Sequence, residues 1–336
     1  MSSGQSNLVR VAERAGVSIA SVSRVLNGLP ASASVTERVR AAASELGYVP
    51  NATARSLKVG KTEQIAMAVA DVGNPVYVSM MHAINGVVAA AGYRLVLSST
   101  GSNPADQIDL LTSLNRGFAD GLILSPLRVT PDLIDEVRNS RMPLVIIGSL
   151  PEGVGVDSVR ANSRKGVGLA VKHLYEQGRR QIAFLNGPLD TTPGSARLAG
   201  YVKAMTKLAL PIASDLQVEA TDFTYQAGLA ATVALLDQSS PDAIVCANDL
   251  LAVAAMKVIA SRGLRVPQDI ALVGMDNTNI AELANPALTS VDLGSEKRAR
   301  KAAHLLLARL DDPNRSVQSI VVSPTLVVRE SSVVNP

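Results

Sequence analysis

The chain has 336 residues, a formal net charge of +3 and 47% hydrophobic residues, with glycine and proline spread throughout. Such a composition excludes a disordered chain, because enough apolar surface exists to offset conformational entropy, and the length suits two or three domains. A single cysteine, Cys246, excludes an intrachain disulfide and a multi-cysteine zinc site, and no apolar run has the length of a membrane span.

Residues 1–7 are polar, lack a signal-peptide core and read as a disordered leader, so the protein is expected in the cytoplasm. Leu8, Val11, Ala12 and Ala15 then recur at i, i+3, i+4 and i+7, which predicts a helix, and Gly16 stops it. Ser18 can cap a second helix in which Val22, Val25 and Leu26 face inward while Ile19, Ala20, Ser21, Ser23 and Arg24 face outward. Two short helices joined by a glycine-containing turn form a helix-turn-helix, whose second helix can enter the DNA major groove. Ser34-Val35-Thr36-Glu37 reads as a capping box, and Val35, Val39, Ala42 and Leu46 form a stripe that closes a three-helix core. So small a core is expected to be marginal alone.

Charge is concentrated on the same segment. Residues 1–62 hold eight Lys/Arg against three Asp/Glu, the local positive field that phosphate contacts need, although a solvated charged surface has the same count. Pro50-Asn51 separates this region from residues 52–58, which have helical propensity but are too few to hold a helix unaided.

From Gln64 onward apolar strands alternate with amphipathic helices. Strands are expected at 65–70, 94–97, 122–124, 144–147, 182–185, 217–219, 243–246, 270–273 and near 319–328. Helices are expected at 78–91, 107–114, 131–139, near 166–175 after a glycine-rich loop, near 196–207, and at 227–236, 250–261 and 296–309. This alternation predicts a two-lobed α/β core with parallel sheets flanked by helices, and ligand binding at the carboxyl ends of the strands. The strand ends carry Asp71, Asn74-Pro75-Val76-Tyr77, Ser125-Pro126, Asn186-Gly187-Pro188, Asp222-Phe223, Asn248-Asp249 and Asp276-Asn277, with Arg197 opening a helix. Carboxylates, amides and an arginine converging on a cleft suit a hydrogen-bond-rich, polyhydroxylated small molecule. Cys246, inside an apolar run, reads as a buried small hydrophobe.

Gly16-Val17-Ser18 followed by Val22-Ser23-Arg24-Val25-Leu26-Asn27, then Leu46-Gly47-Tyr48-Val49-Pro50-Asn51 and Ala54-Arg55-Ser56-Leu57-Lys58, resembles the headpiece and hinge of the LacI/GalR family of bacterial transcription regulators. The remaining chain resembles the family's effector-binding core nearly to its end. The resemblance implies an all-α headpiece at 1–50, a hinge helix and linker at 51–62, and a periplasmic-binding-protein-like core at 63–336. It further implies a nucleoid-associated homodimeric repressor on a palindromic operator, controlled by a sugar or related metabolite, with no cofactor, metal or membrane.

Within that family framework Arg24 is the candidate for a bidentate guanine contact, and Ile19 and Ala20 can offer apolar contact to a thymine methyl. Ser18, Ser21, Ser23 and Asn27 would bond phosphate and fix register. Asn51, Ala54, Leu57 and Lys58 carry over as hinge contacts, with Leu57 as the apolar wedge that kinks the duplex from the minor groove; a linker residue packing on the core is the alternative for Leu57. Asn74, Tyr77, Arg197, Asn248 and Asp276 match effector-contact positions, and Asp71, Phe223 and Asp249 match less closely; Ser125 joins them from the strand ends. A capping role fits Asn248-Asp249 equally well. Val76 stands where the family often has a second aromatic, and Ala161-Asn162 where it often has Asp-Asn.

Rival functions find less support. A sugar receptor without DNA binding shares the two-lobed core but has no use for the headpiece. A nucleotide-using enzyme needs a glycine fingerprint that Gly153-Val154-Gly155 and Gly166-Val167-Gly168 do not complete. His82, His173 and His304 lack ligand partners in sequence, Ser195 has no nucleophile elbow, and no catalytic residue is expected. No leucine heptad follows Glu330, so no coiled-coil tetramer is expected.

Overall fold

The computed structural model describes residues 3–49, 60–101, 103–114 and 116–333, which pack as two compact units divided between Thr62 and Glu63. The first unit holds α1 (Ser3–Ala15), α2 (Ile19–Leu26) and α3 (Ala33–Glu45). Val11, Val22 and Val39 are fully buried at its centre, ringed by Ala12, Ala15, Val25, Ala42 and Ala43, with Leu8, Val35 and Leu46 packed on the edge. Gly16, at φ +61, ends α1 in the left-handed conformation, and the Val17 N–H donates to the Ala12 carbonyl at 3.1 Å. Ser18 caps α2 as expected, its Oγ accepting from the Ser21 N–H.

Two expectations for this unit need correction. Helix α1 begins at Ser3, not at Leu8, so most of the expected leader is helical; extending an established helix costs far less than nucleating one. Ser32 rather than Ser34 caps α3: Ser32 is extended, at φ −64 and ψ 150, and its Oγ accepts from the Val35 N–H at 3.4 Å. Ser34 and Glu37 already lie inside the helix, where no box can form.

The second unit has two lobes. The first lobe comprises β1 (Gln64–Val69), α4 (Pro75–Ala90), β2 (Arg94–Ser99), α5 (Pro104–Leu114), β3 (Gly121–Ser125), α6 (Pro131–Asn139), β4 (Leu144–Ile147) and β5 (Asp157–Ala161). The chain then crosses to α7 (Ser163–Glu176), β6 (Ile182–Asn186), α8 (Thr192–Lys207), β7 (Gln217–Glu219), α9 (Tyr225–Gln238), β8 (Ala243–Cys246), α10 (Asp249–Ser261), β9 (Ala271–Met275), α11 (Asn279–Leu283) and β10 (Thr289–Asp292). It returns as α12 (Ser295–Asp311) and β11 (Ser319–Val322) and ends in the second lobe with β12 (Thr325–Val327). The sheet orders are β11-β5-β4-β3-β1-β2, all parallel, and β12-β10-β9-β8-β6-β7, with β12 antiparallel to β10.

Strand alternation feeds both faces of each sheet. Ile65, Met67 and Val69 pack with α4 and α12, while Ala66 and Ala68 join Leu111, Leu133 and Val137 on the opposite face. In the second lobe Phe184 stacks on Tyr201 of α8 with ring centroids 5.0 Å apart, and Leu185 and Cys246 pack toward α9 and α10. Cys246 is a buried free thiol.

Three elements escape the sequence pattern. β5 lies where a glycine-rich loop was expected, because its Asp157 looks like a surface residue; it is buried, accepting from Arg309 Nη2 at 2.9 Å and from the Gln318 N–H at 2.7 Å. β10 begins Thr289-Ser290, both fully buried, whose hydroxyls reach Ser332 and Asp249. α11 has five residues, too few for a helical period to show.

Candidate DNA-recognition face and effector cleft

Helix α2 spends Val22 and Val25 on the three-helix core and leaves Ile19, Ala20 and Arg24 exposed. Ser18 Oγ lies 3.0 Å from Ser21 Oγ, and Asn27 Nδ2 donates to the Ser23 carbonyl at 2.6 Å, so these polar groups are held in fixed positions at both ends of the helix. Arg14 on α1 pairs with Glu45 on α3 at 2.9 Å. Asn51, Ala54, Leu57 and Lys58, and with them the expected hinge helix, lie outside the described residues.

A cavity of about 790 Å³ lies between the two lobes, at the carboxyl ends of both sheets. Asp71, Asn74, Tyr77, Ser125, Arg197, Phe223, Asn248 and Asp276 all line it. Asn74 caps α4, its Oδ1 accepting from the Val76 N–H, and Pro75 opens the helix, which turns Tyr77 into the cleft. The Tyr77 hydroxyl is hydrogen-bonded with Ser125, and burial pushes its pKa up. Ser125 Oγ in turn donates to the Ile147 carbonyl at 3.1 Å.

Opposite them the second lobe presents charge. Arg197 Nη2 stands 3.5 Å from Asp276 Oδ1, and both side chains are buried. The Arg197 guanidinium also sits over the Phe223 ring, 5.6 Å from its centroid. That ring lies against Gly187, where an added Cβ would come within 2.3 Å of it, so only glycine leaves room for Phe223. Asp276 and Asn277 have φ of +98 and +49, unfavourable for residues with a Cβ. The bend is held by the Asp276 N–H on the Val291 carbonyl and by Arg329 Nη2 on Asn277 Oδ1, each at 2.8 Å. Strain fixed in this way points the Asp276 carboxylate at the cleft. Burial raises the Asp276 pKa, while Arg197 and then Arg298 pull it back.

Asp249, expected among the effector contacts, does not line the cavity. Its Oδ2 accepts from the Thr278 N–H and hydroxyl at 2.7 and 2.8 Å, and its Oδ1 accepts from Ser290 Oγ at 2.6 Å. The carboxylate thus ties α10 to the turn that carries Asp276. Burial, and next the Asp276 charge, push its pKa up to about 7. Its neighbour Asn248 does both jobs the sequence left open: it lines the cavity, and it caps α10 through Oδ1 while Nδ2 donates to the Phe223 carbonyl at 2.8 Å.

Arg160, Arg164 and Arg298, which stand apart from the strand-end motifs of the sequence, also line the cleft. Arg298 was discoverable, because it shares a helical stripe with the buried Ala299, Ala302, Ala303, Leu305 and Leu306 of α12. Among the described residues no group of His, Cys, Asp and Glu is arranged to hold a metal, and no helix is long and apolar enough to cross a membrane. His82 and His304 are exposed, and His173 pairs with Ser332 at 2.8 Å.

A helix-turn-helix unit and a two-lobed ligand-binding core in one chain define a DNA-binding regulator with its own sensor. Comparison with known proteins agrees. Residues 7–51 match the bacterial regulatory proteins of the lacI family, and residues 171–332 match a periplasmic binding protein-like domain. The HTH-type transcriptional repressor PurR of Photobacterium profundum is 33% identical over 96% of this chain and 97% of its own length. A structure of the transcriptional regulator CelR with cellobiose is 33% identical, with a TM-score of 0.74, over 96% of this chain and 99% of that one. The lac repressor dimer bound to operator and the anti-inducer ONPF is 29% identical, with a TM-score of 0.84, over 96% of this chain and 98% of that one. The chain belongs to the lacI family of bacterial regulatory proteins, DNA-binding transcriptional regulators with an effector-binding core.

Proposed function

We propose that the chain is a homodimeric repressor that binds a palindromic operator in the cytoplasm, on the nucleoid, and acts by binding rather than catalysis. Residues 1–50 form its headpiece, 51–62 its hinge and linker, and 63–336 its sensor and dimerisation core. In this reading α2 lies in the major groove with Arg24 on guanine and Ile19 and Ala20 on thymine methyls, while Ser18, Ser21, Ser23 and Asn27 hold phosphate. Asn51, Ala54, Leu57 and Lys58 form the hinge contacts, with Leu57 as the minor-groove wedge. Asp71, Asn74, Tyr77, Ser125, Arg197, Phe223, Asn248 and Asp276 bind a sugar or related metabolite. The observation that carries the reading is α2, whose inward residues are spent on the core while Ile19, Ala20 and Arg24 stay exposed.

Effector control needs an element whose arrangement the ligand biases. Contacts across the cleft supply one: the Thr192 N–H donates to the Leu127 carbonyl at 3.0 Å, and Arg128 grips both oxygens of Asp190 at 2.7 and 3.0 Å. A ligand that changes the closure of the lobes acts on these bonds and, through the first lobe, on the hinge pair.

Selection of duplexes from a random pool by the full-length protein tests the reading. An inverted repeat should emerge, and Arg24→Ala should lose about 1–3 kcal/mol of discrimination at one base pair in each half-site. No preference for any inverted repeat, with or without metabolite, would falsify the assignment. Incubation with candidate sugars should show binding and no turnover.

A further inference from the structure

Arg298 is the buried arginine of the cleft that the effector contacts above do not use. It lines the cavity from the first turn of α12 and is only 8% exposed. Its Nε donates to the Leu293 carbonyl at 3.2 Å, and its terminal nitrogens have no hydrogen-bond partner among the described residues. Arg197, 7% exposed, repeats the pattern: its Nε is buried without a partner, and its Nη2 approaches Asp276 at 3.5 Å, too far for a well-formed hydrogen bond. The Asp276 charge acts on both guanidinium groups. The other acid near Arg298, Asp292, does not line the cavity, and its Oδ1 accepts from the Gly294 N–H at 2.6 Å. Two buried arginines therefore share one buried cleft carboxylate, since Asp71 and Asp222 on the same wall are not buried.

A buried donor without an acceptor, as at Arg197 Nε, is costly, and so is an unmatched buried charge, while the Arg298 terminal nitrogens face the cleft, where a ligand can meet them. A neutral sugar answers this poorly, because each hydroxyl brings a donor along with its acceptor sites. A carboxylate brings acceptors alone, in the planar geometry a guanidinium matches, and its single negative charge balances the one positive charge left when Arg160, Arg164, Arg197 and Arg298 on the cavity wall are set against Asp71, Asp222 and Asp276. Asn74, Ser125, Thr192 and Ser195 provide amide and hydroxyl partners elsewhere on the wall.

We propose that the effector is a hydroxylated metabolite bearing one carboxylate, which seats between Arg197 and Arg298. The proposal rests on the cleft being the effector site, and it narrows the ligand from sugars in general to sugar acids.

Calorimetric titration of the full-length protein tests it with two matched sets: gluconate, glucose and glucose 6-phosphate, then galacturonate and galactose. At least one acid should bind about 10- to 100-fold more tightly than its neutral parent, the range expected for hydrogen bonds to a charged group. Arg298→Met should abolish that preference, and Arg298→Lys should restore part of it. The ligand-free Arg298→Met protein should melt no lower than the wild type, because removing an unmatched buried charge relieves the fold. The proposal is overturned if a neutral sugar matches its acid, if neither acid binds, or if the phosphate is preferred to the carboxylate. It is equally overturned if Arg298→Met lowers the melting point yet keeps the acid preference, which marks Arg298 as structural. Operator selection on the same preparations keeps the two readings apart: selective operator binding without acid binding removes the charge assignment and leaves the repressor reading standing.

Discussion

In the headpiece the residues assigned to recognition all fall between Ser18 and Asn27 and mostly face solvent, whereas in the cleft they come from Asp71 to Asp276 and are largely buried. An exposed face adds no folding penalty, so a core of eight small side chains can carry it. A cleft that holds Arg197, Asp276 and Arg298 out of water works against folding, and it stands on two six-stranded sheets which, with their helices, hold most of the buried apolar residues. Surface recognition is compatible with a marginal domain; buried recognition needs a large one.

The sharpest way to break that contrast is to remove a buried charge that the large unit depends on. Asp157→Ala takes away the carboxylate that neutralises Arg309, which keeps only backbone carbonyl partners, and leaves the Gln318 N–H without its acceptor. The expected cost is about 3–5 kcal/mol, read from denaturant unfolding of the full chain, and it should fall on the core transition alone. Next in size is Val39→Ala, which opens a void at the centre of the headpiece. About 2 kcal/mol is expected from the lost methyl groups and the void, enough to unfold most of so small a unit. Operator binding should disappear while effector binding stays at wild-type strength. Equal damage to both activities would show that the two units do not fold independently.

The same contrast explains what could be seen in the sequence. The headpiece helices, the α2 cap and the outward face follow from spacing within a few residues, and the structure moves only the ends: α1 starts at Ser3, and Ser32 caps α3. In the core the apolar strands were legible, whereas β5 and β10 were not, because Asp157, Thr289 and Ser290 are polar residues whose partners lie dozens of positions away or at the far end of the chain. Asp249 and Arg298 exchanged roles for a related reason. A strand-end carboxylate next to a cap looks like a ligand contact, and an arginine in a basic helix looks like surface even where, as at Arg298, it falls on the apolar stripe. Only the packed structure shows the Asp249 oxygens filled and the Arg298 nitrogens open.

Asp249 gives the contrast a pH dependence. Its folded-state pKa, about 7, lies above the ordinary carboxylate value, so the folded chain holds this proton longer than the unfolded chain does. The resulting stability is fully present below about pH 4 and fades as pH rises through 7, a loss of about 2 kcal/mol between pH 5 and 7. Asp249→Asn should flatten that part of the core's melting-temperature profile and leave the headpiece transition unchanged. A slope that survives the substitution places the titrating group elsewhere.

The smallest effect belongs to the clasp across the cleft. Asp190 is mostly exposed, so although the Arg128 hydrogen bonds lower its pKa, solvent screens the pair, and Arg128→Ala should cost the resting fold at most about 1 kcal/mol. Its effect should surface in the ligand response. If the pair favours closed lobes, its loss raises the share of open molecules, and effector affinity falls by up to about fivefold in proportion to the closed fraction lost. High salt should weaken the wild-type protein toward the variant and leave the variant itself little changed. An Arg128→Ala protein that binds effector with wild-type affinity at low salt would show that closure is governed by the buried wall of the cleft alone.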